Sequence, residues 1–274
     1  MRWFSRGPVI TDELWEEALH RHPLVARFEK ARNGTHKPTT LRALSEKFLR
    51  SMQIRWAPGL ERSDHVRVSL AMLACLPVLN LDLRWYRRWR TVLIVPRDYE
   101  TESMEVDEAG VVHEGVSVAA GEYSEWGTVV IALEDLEESG LGTGFNVVIH
   151  ECAHVLDNAN GALDGMPPLH PGMDAVAWST VFGDAFTDLQ RRVIRGRGRG
   201  STRTRGGGGR RSGHRTGPGR RTAFDPYAAE APEEFFAVAS ELFFERPRTL
   251  EREYPGVYRQ LALFYRQDNI NGKS

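Results

Sequence analysis

The chain has 274 residues, of which 41% are hydrophobic and 27% are charged, and its formal net charge is −1. This composition is typical of a globular protein and excludes disorder of the whole chain. The two cysteines exclude a disulfide scaffold and indicate a reducing compartment.

The first third of the chain is predicted to be helical, without an export signal or a membrane span. The first eight residues lack the apolar stretch of a secretory signal. The longest apolar run, residues 70–79, is too short to cross about 30 Å of hydrocarbon. Apolar side chains recur with helical spacing over residues 41–52 and 64–76. We therefore expect a mainly helical region over residues 1–90, in a cytoplasmic protein that makes no membrane contact.

Short runs rich in valine and isoleucine predict strands in the middle of the chain. The two clearest runs lie at residues 91–96 and 128–133, and each is followed by charged or turn residues. Weaker strands are expected near Val111 and Val116. We predict a small mixed sheet from these runs. We also expect the strand at 128–133 to be a sheet edge to which an extended peptide can be added.

Helical patterns return in the second half of the chain. One apolar stripe covers residues 145–156, with Thr143 as the expected N-cap, and another covers residues 178–193. One further helix is expected to start at Pro232, because proline is favoured in the first turn of a helix. A last helix is expected to follow Pro247, with apolar residues in register from Leu250 to Phe264.

A segment rich in arginine and glycine, residues 195–221, interrupts this pattern. Residues 191–221 contain twelve arginines and no acidic residue, so the rest of the chain has 24 basic residues against 37 acidic ones. The segment lacks the apolar side chains that would offset the entropy cost of ordering it, and we interpret it as a flexible insertion. Binding of nucleic acid or another polyanion by its arginines stays open as an alternative.

The sequence His-Glu-Cys-Ala-His at residues 150–154 is the strongest functional signal. His150 and His154 project from the same face of a helix, so both imidazoles can bind one tetrahedral zinc ion. Glu151 is offset from them by one residue, which suits a general base that acts on a metal-activated water. Two hydrogen-bonded histidines without a metal are the alternative, and the rarity of the pattern favours the metal.

A catalytic zinc site takes three protein ligands, and the spacing alone does not identify the third. Asp157 lies on the same polar stripe as the two histidines, and its position suits a residue that orients a histidine better than a ligand. His170 and Asp174 lie in a loop rich in proline and glycine, where such residues usually form turns. The complete set of candidates is Asp157, Asp164, His170, Asp174, Glu230, Glu233 and Glu234.

Several separated segments resemble the Mlc titration factor A family of zinc peptidases. They are His-Glu-Cys-Ala-His-Val-Leu-Asp at 150–157, the run that begins Asp-Pro-Tyr-Ala-Ala-Glu at 225–244, the segments 71–80 and 91–96, and Tyr-Arg-Gln-Asp at 265–268. The resemblance covers about residues 40–270 and keeps their order. Around its metal site this family is similar to the catalytic domain of anthrax lethal factor. The segment rich in arginine and glycine is not part of the family pattern.

Together with the predicted elements, the resemblance implies an α+β, zincin-like metallopeptidase whose catalytic domain covers residues 91–270. It implies a bacterial cytoplasmic enzyme that hydrolyses peptide or protein substrates, with an aminopeptidase-like preference. Members of this family bind the glucose-phosphotransferase repressor Mlc. The alternative function is therefore a regulatory protein that sequesters a transcriptional repressor of sugar uptake, with little catalysis.

The resemblance also implies a role for each site residue. His150, His154 and Glu234 would bind zinc, and Glu151 would be the base. In the relatives a tyrosine precedes the glutamate ligand by seven residues, which implies Tyr227 as a hydrogen-bond donor to the transition state. This assignment requires the Glu234 carboxylate to lie within about 5 Å of the imidazole nitrogens.

Overall fold

The structure, a computed structural model, describes residues 10–32, 40–97, 101–106, 112–117, 123–124, 127–199 and 222–270. Two predictions fall outside these ranges: the weak strand at Val111 and the flexible insertion from residue 200 to residue 221. The first five residues of the predicted insertion, 195–199, are the end of a long helix.

The described residues form ten helices and six strands. The helices are α1 (Asp12–Arg21), α2 (Pro23–Arg32), α3 (Leu41–Ser51), α4 (Asp64–Cys75), α5 (Leu133–Glu138), α6 (Val147–Asp157), α7 (Ala175–Arg199), α8 (Pro232–Glu245), α9 (Pro247–Glu253) and α10 (Pro255–Tyr265). The strands are β1 (Gln53–Trp56), β2 (Thr91–Val95), β3 (Thr101–Val106), β4 (Val112–Ser117), β5 (Tyr123–Ser124) and β6 (Thr128–Ala132). Within these ranges, no helix has both the length and the apolar composition that crossing a membrane would require.

The sheet is small and mixed, as predicted, and the fold is of the α+β class. Its strand order is β1-β2-β6-β5, in which β1, β2 and β6 are parallel and β5 is antiparallel to β6. The prediction that the strand at 128–133 is a sheet edge is wrong, because β5 pairs with the first two residues of β6. The predicted strand at Val116 lies in β4, which forms a separate antiparallel hairpin with β3.

Strand β1 is not among the strands predicted from the sequence. It has four residues that alternate between exposed and half-buried, a pattern too short to distinguish from the end of α3. Because β1 pairs with β2, the mainly helical region contributes a strand to the same sheet as the rest of the chain. The division of the chain at residue 90 stays a prediction.

Helices α4 and α6 lie at the centre of the hydrophobic core. Residues 68–75 of α4 are all buried, and in α6 every residue except His150 is buried. The apolar residues of α6 have to be covered by neighbouring elements, and its polar residues Glu151, His154 and Asp157 are buried with them. Helix α6 packs against α4, α8 and the strands β5 and β6, so the segment with the two histidines is held by several elements.

Helix α6 starts later than predicted, after Asn146 instead of Thr143. The Asn146 side chain accepts a hydrogen bond from the Ile149 N–H at 3.0 Å, which is the usual N-cap arrangement. Gly144 has φ +99°, which is incompatible with a right-handed helix at that position. The turn before α6 therefore ends in an asparagine cap, and the Thr143 prediction is wrong.

Phe224, near the start of the described segment 222–270, lies in the core. This side chain is fully buried and stacks on Phe235 of α8, with ring centroids 5.2 Å apart and planes inclined by 9°. The two preceding residues bind the carboxylate of Glu253, through the Thr222 hydroxyl at 2.8 Å and the Ala223 N–H at 2.9 Å. Residues 222–224 are thus attached to α8 and α9.

His22 is a buried histidine between α1 and α2. Only 2% of it is exposed, and its Nδ1 donates a hydrogen bond to the Ser139 carbonyl at 2.8 Å. Burial lowers the pKa of His22 below its ordinary value, although the hydrogen bond to Ser139 opposes this effect. The unfolded chain therefore takes up a proton at this position below about pH 6.5, whereas the folded chain does so only at lower pH.

We predict that the free energy of unfolding falls as the pH is lowered through this interval, and that His22→Gln reduces the slope. One such proton contributes at most about 1.4 kcal/mol per pH unit. The measurement is urea denaturation between pH 5 and pH 7.5. His20→Gln, on the exposed side of α1, is the matched control and should keep the wild-type slope. Equal slopes for wild type and His22→Gln would contradict the prediction.

Candidate metal centre

The structure brings His150, His154 and Glu234 together between α6 and α8. The Nε2 atoms of the two histidines are 3.1 Å apart. One Glu234 oxygen lies 3.2 Å from His150 Nε2, and the other lies 3.6 Å from His154 Nε2. Among the described residues these three side chains form a group whose possible ligand atoms all lie within 4.8 Å of one another. The separation that the sequence analysis required is therefore met.

Glu234 owes its position to the start of α8. Pro232 is the first residue of this helix, which places Glu234 in the first turn, where free N–H groups and the helix dipole favour a negative charge. Burial opposes ionisation of Glu234. The contacts with His150 and His154 outweigh this effect and hold its pKa well below the ordinary value. Glu234 is thus a carboxylate over the whole physiological pH range.

Glu241 also faces α6, although it is not among the site residues predicted from the sequence. Its Oε1 lies 2.9 Å from Nδ1 of His150. Burial opposes protonation of His150, but Glu234 and Glu241 outweigh burial and raise the pKa of the ring well above its ordinary value. The signal was present in the sequence, because Glu241 follows Glu234 by seven residues and so lies two turns further along the same face of α8.

Glu151 is buried beside the two histidines, with 1% of its surface exposed. Its Oε2 is buried and has no hydrogen-bond partner within the part of the chain that the structure describes. Burial raises the pKa of the Glu151 carboxyl above its ordinary value, although the neighbouring rings of His154 and His150 oppose this shift. A carboxylate with these properties is a suitable proton acceptor for a water molecule bound at the centre.

Tyr227 lies at the open side of the centre, with 46% of its surface exposed. Its ring centroid is 6.3 Å from that of His150. It belongs to a short 3₁₀ turn, Pro226–Ala229, which Asp225 caps by accepting a hydrogen bond from the Tyr227 N–H at 3.0 Å. Burial, followed by the nearby Glu234 carboxylate, raises the pKa of the phenol, so Tyr227 keeps its proton and can donate it in a hydrogen bond.

The other candidate ligands have different partners or lie outside the group of three. Asp157 is buried and accepts a hydrogen bond from the Gly165 N–H at 2.8 Å; burial raises its pKa to about 7. His170 forms a hydrogen bond with the Phe264 carbonyl at 2.8 Å. Asp174 accepts hydrogen bonds from the first turn of α7. The remaining candidates outside the group are Asp164, Glu230 and Glu233.

The donor set and its spacing fit a metal ion. Two imidazole nitrogens and one carboxylate oxygen are the ligands of many catalytic zinc sites. Ligand atoms bound at 2.0–2.1 Å in a tetrahedron lie about 3.3 Å apart. The two imidazole nitrogens are 3.1 Å apart, and each lies 3.2 or 3.6 Å from a different oxygen of the Glu234 carboxylate. Oε2 of Glu234 is buried, and among the described residues it has no aligned hydrogen-bond donor, although Nε2 of His150 lies 3.2 Å away, as expected for two atoms that bind the same cation.

Comparison with known proteins agrees with the geometry. Residues 2–266 match the family described as glucose-regulated metallo-peptidase M90. A protein named Mlc titration factor A from Yersinia enterocolitica is 33% identical over 257 residues, which are 93% of this chain and 86% of the relative. The protein of the same name from Edwardsiella ictaluri is 32% identical over 271 residues, which are 98% and 93% of the two chains. This chain therefore belongs to the glucose-regulated metallo-peptidase M90 family, the family of the Mlc titration factors A.

Proposed function

We propose that the protein is a zinc-dependent peptidase in which His150, His154 and Glu234 hold the metal. The observation that carries the proposal is the convergence of two imidazole nitrogens and a carboxylate beside the buried carboxylate of Glu151. Membership of a metallopeptidase family supports the class of reaction. The metal is proposed as zinc because zinc prefers this number and type of ligands.

The chemistry follows from what each side chain can do. A bound zinc ion supplies Lewis acidity, which polarises the scissile carbonyl and makes a water molecule more acidic. Glu151 accepts the proton of the attacking water and then transfers it to the departing amine. Its raised pKa helps the first transfer, because the conjugate base of a less acidic carboxyl accepts the proton of water more readily. The Tyr227 phenol donates a hydrogen bond to the oxyanion that forms at the carbonyl.

Peptides or proteins are the proposed substrates, with an aminopeptidase-like preference that rests on the family resemblance alone. We place the protein in the cytoplasm. Both of its cysteines, Cys75 and Cys152, are buried and free, which supports a reducing compartment.

The ligand assignment is tested by metal analysis of purified wild type, His154→Ala and Glu234→Ala. We expect about one zinc per chain in the wild type and a loss of bound zinc in both variants, because two remaining ligands do not hold zinc tightly. Peptide hydrolysis should fall in parallel. Glu233→Ala is the matched control on the neighbouring residue and should keep its zinc, since Glu233 lies outside the group of three. Full zinc content in folded Glu234→Ala would contradict the assignment.

The name of the relatives supports a second candidate. We propose, as the alternative, that the chain binds and sequesters a transcriptional repressor of the Mlc type. Isothermal titration calorimetry of the purified chain with such a repressor tests this function. Saturable binding by a variant that no longer hydrolyses peptides would show that sequestration does not depend on catalysis.

A further inference from the structure

Glu241 binds two points of α6 at once. Its Oε1 lies 2.9 Å from Nδ1 of His150, and its Oε2 accepts a hydrogen bond from the Asn146 N–H at 2.5 Å. Only 4% of Glu241 is exposed. Both oxygens of this buried carboxylate are therefore used, one by the N-cap of α6 and one by a histidine of the metal centre.

This contact determines which nitrogen of His150 carries the hydrogen. An ionised carboxylate can only accept hydrogen bonds, so the nitrogen that faces it has to donate. In a neutral imidazole the other nitrogen is then free of hydrogen and offers its lone pair. That nitrogen is Nε2, which points at His154 and Glu234.

We propose that Glu241 is a positioning residue of the metal centre: it keeps His150 in the Nδ1–H tautomer and holds the first turn of α6 against α8. The inference rests on the proposed function, because it concerns the zinc site formed by His150. Glu241 does not touch the metal or the substrate in this proposal. It acts through the ring of His150, as carboxylates do that accept a hydrogen bond from a metal-bound histidine.

Glu245, one turn further along α8, provides a natural comparison. Its carboxylate accepts hydrogen bonds from the Gly140 N–H, the Gly142 N–H and the Asn146 amide, at 3.0, 2.6 and 2.8 Å. Like Glu241, it is buried and holds the segment before α6. Its contacts are with this segment and not with the ring of His150. Comparing substitutions of the two glutamates therefore distinguishes a general structural role from an effect on the ring of His150.

Glutamine at position 241 would have the right size but the wrong hydrogen-bonding groups. Its amide has one oxygen that accepts and one NH₂ that only donates. If the oxygen faces His150, the NH₂ group faces the Asn146 N–H, and two donors meet. If the oxygen faces Asn146, the NH₂ group faces Nδ1 of His150, which has to accept, and the hydrogen moves to Nε2. In either arrangement the geometry or the tautomer needed at the centre is lost.

The experiment compares wild type, Glu241→Gln and Glu245→Gln. Zinc affinity is measured by competition with a chromophoric chelator. The tautomer is measured by ¹H–¹⁵N NMR of the histidine side chains in the zinc-loaded proteins, where metal binding displaces the proton from Nε2. We expect about 10- to 100-fold weaker zinc binding in Glu241→Gln, together with a lost or strongly shifted Nδ1–H signal of His150. Glu245→Gln should keep wild-type zinc affinity and the wild-type signal, even if its stability falls.

Each other outcome has a defined meaning. Wild-type protein that does not bind zinc overturns the proposed function and this inference with it. Zinc binding by the wild type, with unchanged affinity and an unchanged Nδ1–H signal in folded Glu241→Gln, overturns only the role of Glu241. If Glu241→Gln does not fold, the NMR spectrum of the zinc-loaded wild type tests the inference. A hydrogen-bonded Nδ1–H signal of His150 is expected there, and its absence would overturn the inference.

Discussion

Glu151→Gln is expected to lower kcat for peptide hydrolysis by about 10²- to 10⁴-fold while zinc stays bound. The amide cannot accept the proton of the attacking water, and loss of a general base has an effect of this size. Glu151 is not one of the three side chains that converge on the metal position, so the ligand set is unchanged. Steady-state kinetics and metal analysis of the same preparation provide the measurement.

The melting temperature of Glu151→Gln shows whether a loss of activity comes from the missing base or from a loss of folding. Burial raises the pKa of Glu151, which means that its ionised form is less favourable in the folded protein than in the unfolded chain. A neutral side chain of the same size removes this cost, so after removal of zinc from both proteins the melting temperature of Glu151→Gln should equal or exceed that of the wild type. Hydrolysis at the wild-type rate by this variant would exclude Glu151 as the base.

Gly165→Ala is the second substitution with a large expected effect, because Gly165 separates α6 from α8. Its N–H donates to Asp157 at the end of α6, and its carbonyl accepts a hydrogen bond from the Trp178 indole at 3.1 Å. Its φ is +78°, and an added Cβ would lie 2.6 Å from the Pro232 carbonyl oxygen. A side chain at this position therefore has to push away the first turn of α8, which carries Glu234.

We expect Gly165→Ala to lower the free energy of unfolding by about 1–2 kcal/mol, because alanine is strained in the left-handed backbone conformation. Overpacking should lower it by about 1–3 kcal/mol more. Displacement of Glu234 by about 1 Å should reduce hydrolysis about 100-fold. Gly172→Ala is the matched control, since Gly172 also has positive φ, +91°, but its added Cβ would meet nothing within 4 Å. Gly172→Ala should lose only the part of the free energy of unfolding that comes from backbone strain, and it should keep wild-type activity. The measurements are peptide hydrolysis and chemical denaturation of both variants. Similar activities of the two would contradict the predicted displacement of Glu234.

The parts of the fold that depend on local pattern could be predicted from the sequence. The stripe on α6 identifies its buried faces, and the spacing of His150 and His154 brings both imidazoles to one side of a helix. The exact start of α6 was predicted wrongly, because Thr143 and Asn146 are both good N-caps. Only the backbone of Gly144, which lies between them, excludes the earlier one.

The parts that depend on contacts between distant segments could not be predicted in this way. Seven residues satisfied the requirement for a third ligand, and the resemblance to a family, not spacing, selected Glu234. The packing of α8 against α6 brings Glu234 and Glu241 to His150, and nothing in the local sequence of either helix specifies that packing. Strand β1 was missed for the same reason, since its identity depends on pairing with β2.

The attachment of residues 222–224 has a consequence for how this protein can change during evolution. Phe224 and the two residues before it are fixed to α8 and α9, three residues before Tyr227. Substitutions or insertions in the preceding arginine- and glycine-rich segment should therefore leave the Tyr227 phenol and the carboxylate of Glu234 in place. The same attachment makes the segment a suitable place to graft a reporter domain onto the protein.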